Sequence, residues 1–238
     1  MTLEICANSF ASALAAQVGG AQRIELCENL NEGGTTPSYG TIKRVREQLK
    51  IKVYVLIRPR AGDFNYSDDE FEIMKEDILT CKELGCDGVV IGLLDTAGNI
   101  DRLRTETLVN LAKPMGVTFH RAFDNCNDGL KALEELIACG CERILTSGMK
   151  NFAFEGAAFL KELVTLAGER IIIMPGSGIN EDNIQELISI TQAKEYHTSA
   201  KMPIEGNMTY HNPAIKHMGN VEVSDERKIR KIVKLLNS

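Results

Sequence analysis

Two short segments with the same chemistry stand near the start of the chain, Glu4-Ile5-Cys6 and Glu25-Leu26-Cys27, 21 residues apart. Thiolate sulfur is a soft donor that favours Cu(I) or zinc over hard cations. If the segments lie on neighbouring parallel strands, about 4.8 Å apart, Cys6 and Cys27 can share one metal ion. The same spacing falls within the ~4.4–6.8 Å Cα window of a disulfide, so a redox pair is a second reading. Two thiols packed in a core are the third. Cys81, Cys86, Cys139 and Cys141 read as packing.

Other residues suggest anion and proton chemistry. Gly176-Ser177-Gly178 follows an apolar run, Ile171-Ile172-Ile173-Met174, and turns the chain so that backbone N–H groups face open space. His197-Thr198-Ser199 is a second polar turn, Ser147 a further hydroxyl, and Arg58 or Arg60 could supply a bidentate partner to an oxyanion. His120 could act as general acid or base, oriented by Asp124 or by Glu25. A structural ion-pair network of Glu4, Glu25, Arg58 and His120 is the alternative to a ligand pocket. Between residues 200 and 223, Met202, Met208, His211, His217 and Met218 add soft donors in a long loop, readable as a lid or an oligomer contact.

The elements that must position these groups alternate along the whole chain. Strands are expected at Leu3–Ala7, Arg23–Cys27, Lys52–Ile57, Gly88–Gly92, Val117–His120, Arg143–Thr146, the run from Ile171, and Glu195–Thr198. A helix follows each one, among them a helix over Glu181–Ile190 capped by Asn180 and a last helix over Ser224–Leu236. Glycines at 19–20, 85, 116, 140 and 168 punctuate the approach to strands, as helix C-termini require. Eight such steps without a linker predict a single (β/α)8 TIM-barrel domain over 1–238, with a long loop between strand 8 and the last helix. An open doubly wound sheet is the alternative.

Strand alternation then sorts the side chains. Leu3, Ile5, Ile24 and Leu26 belong against helices, leaving Glu4, Cys6, Glu25 and Cys27 pointing inward at one height. Arg58, Arg60, His120, Ser147, His197 and Ser199 gather at the C-terminal strand ends, where this fold places its active sites.

The totals exclude some classes. The formal charge is −6 over 238 residues, with no Lys/Arg block, which argues against a nucleic-acid partner. No apolar segment reaches the ~18 residues of a membrane span, and the start lacks a secretory pattern. Seven cysteines in a chain of this size predict free thiols in a reducing cytoplasm.

Several motifs together carry a family resemblance: Leu3-Glu4-Ile5-Cys6, Arg23-Ile24-Glu25-Leu26-Cys27, Glu32-Gly33-Gly34-Thr35-Thr36-Pro37-Ser38, Ile57-Arg58-Pro59-Arg60, Phe119-His120-Arg121-Ala122-Phe123-Asp124 and Leu145-Thr146-Ser147-Gly148. The chain resembles the CutC family, named for copper homeostasis. The resemblance implies a cytoplasmic TIM barrel, usually a homo-oligomer, with Cu(I) as its proposed ligand. It places the copper-binding cysteines on the first two strands, at Cys6 and Cys27. Two functions follow as expectations. One is copper handling through these thiolates. The other is an enzyme acting on a small anionic metabolite, a phosphorylated one included, with Arg58, His120, Asp124 and Glu25 as its machinery.

Overall fold

Parallel strands β1 (Thr2–Ala7), β2 (Arg23–Leu26), β3 (Lys52–Leu56), β4 (Gly88–Ile91), β5 (Gly116–Phe119), β6 (Arg143–Thr146), β7 (Ile172–Pro175) and β8 (Glu195–Thr198) alternate with helices in the structure, a computed structural model. It describes residues 1–210, 212–215 and 221–238. The helices are α1 (Phe10–Gly19), α2 (Tyr39–Gln48), α3 (Asp68–Glu83), α4 (Arg102–Ala112), α5 (Gly129–Cys139), α6 (Ala157–Ala167), α7 (Ile184–Thr191) and α8 (Glu226–Leu236). The strands form one sheet in the order β7-β6-β5-β4-β3-β2-β1-β8. β7 and β8 lie side by side, but no backbone ladder joins them among the described residues, so the TIM barrel is nearly closed.

Local chemistry sets these boundaries. Ser9 and Ser38 accept backbone N–H groups at the starts of α1 and α2, and Ser67 with Glu70 forms a reciprocal capping box on α3. Asn180 does not cap α7. Its side chain accepts the N–H of Asp182 in a tight turn, and the helix begins three residues later than expected, at Ile184. The stretch expected as one long loop contains an antiparallel hairpin, β9 (Lys201–Ile204) and β10 (Val221–Ser224). His211, His217 and Met218 lie outside the described residues; Met202 is on β9, and Met208 is exposed.

Two apolar regions separate across the sheet. Leu3, Ile5, Ile24 and Leu26 are fully buried in the larger one, between sheet and helices. The smaller, inside the barrel, joins Cys6, Cys27, Tyr54, Leu56 and Val90. Tyr54 fills the lower interior. A Cβ added at Gly88 or Gly116 would come within 2.2 Å of its ring or hydroxyl. Gly116 is therefore clearance for an aromatic ring rather than the end of a helix. Tyr54 donates to a Glu142 carboxylate oxygen at 2.8 Å, and burial pushes its hydroxyl up to about 12.

The two Glu-x-Cys segments do not stand at one height. Glu4 is opposite Arg23, and Cys6 is opposite Glu25. Closing a barrel staggers its strands, and between β1 and β2 that stagger amounts to two residues. Cys27 therefore sits one inward position above Cys6. The sulfurs still meet because the side chains lean toward each other.

Candidate functional site

A cavity of about 590 Å³ opens at the C-terminal strand ends. Its walls include Cys6, Glu25, Arg58, His120, Ser177 and His197, contributed by six strands or the turns after them.

Beneath it lies a buried ion network, in which Arg23, two residues before Glu25, faces the same way. Arg23 pairs with Glu4 and Glu195, and Arg143 donates to Glu195 at 2.7 Å and to Thr118 at 3.1 Å. Both guanidiniums stack over Tyr54, at 5.2 and 5.4 Å from its ring centre. Burial alone would raise the Glu4 carboxyl, yet Arg23, His197 and Arg143 together hold it well below the ordinary range. The structural network is thus Glu4–Arg23–Glu195–Arg143. It does not include Arg58 or His120.

His197 stands between this network and the sulfurs. Its Nδ1 is 2.8 Å from Glu4 Oε1, and its Nε2 is 3.7 Å from Glu25 Oε2. Burial would lower its pKa, but the two carboxylates outweigh burial and raise it. Glu25 is itself raised, chiefly by burial. Cys6 Sγ and Cys27 Sγ are 3.5 Å apart, both free and both buried. The Cys6 thiol is pushed up by its hydrogen bond with Cys27 and then by burial. Cys6 Sγ, a Glu25 oxygen and a His197 nitrogen all lie within 4.8 Å of one another. This sulfur–oxygen–nitrogen set, with Cys27 alongside, could hold a metal ion. Glu4 would orient the His197 ring from behind, as a second carboxylate does in many metal sites.

His120 does not meet the carboxylates expected to orient it. Its Nδ1 accepts the N–H of Ala122 at 3.0 Å, while Glu25 faces Cys6 and His197. Asp124 instead accepts from Thr146 Oγ1 at 2.5 Å, from Ser147 Oγ at 2.8 Å, from the Ser147 and Met149 N–H groups, and from Arg121. It fastens the turn after β6. Ser147 is fully buried in that turn and does not line the cavity.

The arginines part ways. Arg58 is buried on the cavity wall and donates to the carbonyls of Glu32, Gly34 and Gly62 at 2.6–2.8 Å. Arg60 turns outward to Glu70 and Asp63 and takes no part in the wall. In the turn after β7, Ser177 and Gly178 line the cavity, as do His197 on β8 and Ser199 just after it. Gly176 lies behind them, where a Cβ would come within 2.4 Å of Leu145. Ser177 adopts a left-handed φ of 82°, and its Oγ donates to the Asn151 carbonyl at 2.8 Å.

The sequence model of the CutC family matches residues 1–202. A CutC family protein of Xanthomonas campestris is 48% identical over the full length of both chains. A second, from Xylella fastidiosa, is 48% identical over 99% of this chain and 88% of its own. A crystal structure from Streptococcus agalactiae, described as that of a copper homeostasis protein CutC, superposes with a TM-score of 0.80. It shares 38% identity and covers 84% of this chain and 98% of its own. A thiamine phosphate pyrophosphorylase from Pyrococcus furiosus, at TM-score 0.64 and 16% identity over 99% of this chain and 95% of its own, shares the fold alone.

Proposed function

The chain belongs to the CutC family, a copper-homeostasis family by name, and from that membership and the sulfur geometry we propose that it binds Cu(I) through Cys6 and Cys27. One observation carries the reading: two free thiols, Cys6 on β1 and Cys27 just past β2, meet at 3.5 Å, with Cys6 on the wall of the mouth cavity and Cys27 buried behind it. Thiolate pairs suit Cu(I) because soft sulfur matches a soft ion. Both sulfurs can reach one ion without moving the backbone. A His197 nitrogen and a Glu25 oxygen stand within 4.8 Å of the Cys6 sulfur, which is 3.5 Å from that of Cys27.

Copper here is cargo, taken up and passed on. A site at the open end of a barrel suits that role, since Cys6 stands on the cavity wall, where an ion can reach the pair. No helix among the described residues is long and apolar enough to cross a membrane. We place the protein in the cytoplasm, where thiols stay reduced.

Anaerobic Cu(I) titration against a competing chelator tests the assignment. The parent should take up one tight equivalent per chain, and a Cys6→Ser/Cys27→Ser variant should lose it. Equal binding by both proteins, or no competition by the parent, would remove the sulfur pair as the site.

A further inference from the structure

One wall of the cavity is built for something other than a soft cation. Arg58 is 5% exposed, and its two terminal nitrogens are spent on three neutral carbonyls. No carboxylate pairs with it among the described residues, and its Nε–H has no acceptor. A buried guanidinium without a countercharge costs several kcal/mol unless an anion joins it, so the fold leaves a place for one.

His120, also 5% exposed, lines the same cavity. Its Nδ1 accepts a backbone N–H, so the proton of the neutral ring is on Nε2, and Nε2 likewise has no partner. Burial, then the charge of Arg58, pushes its pKa down to about 3, which keeps the ring neutral at neutral pH. Phe64 packs against both residues, with its ring centre 5.1 Å from that of His120 and 5.2 Å from the Arg58 guanidinium carbon. A neutral His120 that donates from Nε2 is no proton acceptor. It is a hydrogen-bond donor for an oxygen.

Across the barrel, the turn after β7 adds donors. The backbone N–H groups of Ser177, Gly178 and Ile179 meet no acceptor among the described residues. β7 is four strands away from β3 in an eight-stranded barrel, so Arg58 faces this turn across the cavity, with His120, after β5, between them.

We propose that the mouth cavity binds a small organic molecule carrying two oxyanion groups, carboxylate or phosphoryl. One oxyanion group lies against the Arg58–His120 wall, and the far group rests on the Ser177–Ile179 turn. The unpartnered Arg58 Nε–H and His120 Nε2–H are both covered in the free protein, so the near group meets them after a local shift. This site is separate from the sulfur pair and stands whether or not copper binds. It also reassigns His120, from acid–base catalyst to donor.

The probes are malonate and, in a second arm, inorganic phosphate, with chloride at matched ionic strength as control. The His120 Nε2–H and Arg58 Nε–H resonances are followed in ¹⁵N-resolved proton spectra, and affinity is read by calorimetry. At least one probe should move both resonances saturably, in the parent and equally in the Cys6→Ser/Cys27→Ser variant. Affinity should fall about tenfold or more in His120→Phe, the loss of one charge-assisted hydrogen bond. A response to malonate alone assigns a carboxylate ligand, and to phosphate alone a phosphoryl ligand. If neither probe moves the resonances beyond the chloride control, or if His120→Phe binds as tightly as the parent, the proposal fails. Should that variant not fold, the parent spectra decide.

Discussion

Burial drives both His120 and His197 toward the neutral form, and only His197 has carboxylates close enough to reverse it. The consequence for His120 is a stability that depends on acid. The unfolded ring takes up a proton near pH 6.5, whereas the folded ring resists to about 3. Stability is therefore full above pH 6.5 and falls as pH drops through that window, by about 1.4 kcal/mol per pH unit. Urea unfolding at pH 7 and pH 5 should show the parent losing about 2 kcal/mol more than His120→Gln. Equal losses would mean that the ring is already charged in the fold. Sequence alone marked His120 as chemically able, but could not show which atoms it meets. The backbone N–H of Ala122, two residues on, claims Nδ1 only because the chain makes a short 3-10 turn over Arg121–Asn125.

Among the elements, β4 is fitted to its neighbour by what it lacks. A Cβ at Gly92, just beyond β4, would stand 2.2 Å from His120 Cε1, 2.4 Å from Nδ1 and 2.8 Å from Ala122 Cβ. Neither ring nor backbone can give that much, so Gly92→Ala should destabilise by about 1–3 kcal/mol, the usual cost of overpacking. A lowered urea midpoint together with a displaced His120 Nε2–H resonance would show it; an unchanged midpoint would mean that the ring moves freely. All eight barrel strands were legible in the sequence, because apolar runs between turn residues report burial directly. The register between them was not. Two repeats of Glu-x-Cys look level on paper, and only the stagger of a closing barrel sets Cys6 beside Glu25 rather than beside Cys27. The β9–β10 hairpin was equally hidden, since exposed Lys201, Pro203 and Val221 carry no alternation that marks a strand.

Closure of the whole barrel depends on side chains where the backbone leaves off. Between β7 and β8 the seam is spanned by Arg143 on β6 reaching Glu195 on β8, by Arg23 touching Met174 Sδ at 3.2 Å, and by Thr198 Oγ1 donating to the Ile179 carbonyl at 2.6 Å. Glu195 takes both guanidiniums, and Glu195→Gln would leave two buried cations short of a partner. The expected cost is about 3–5 kcal/mol, read as a fall in the urea midpoint. A midpoint within error of the parent would mean that Glu4 and Glu142 suffice. Arg23, Arg143 and Glu195 lie at strand starts, where charge reads as solvated surface. Nothing local in the sequence shows that three such ends converge inside one barrel.

Tyr54 gives the chamber its traffic rules. With its ring across Gly88 and Gly116 and two guanidiniums stacked on it, Tyr54 fills the floor, and the cavity lined by Cys6 and Arg58 opens at the mouth. An ion held at the sulfurs and an oxyanion held by Arg58 would share that mouth, so the larger guest would slow the exit of the smaller without touching it.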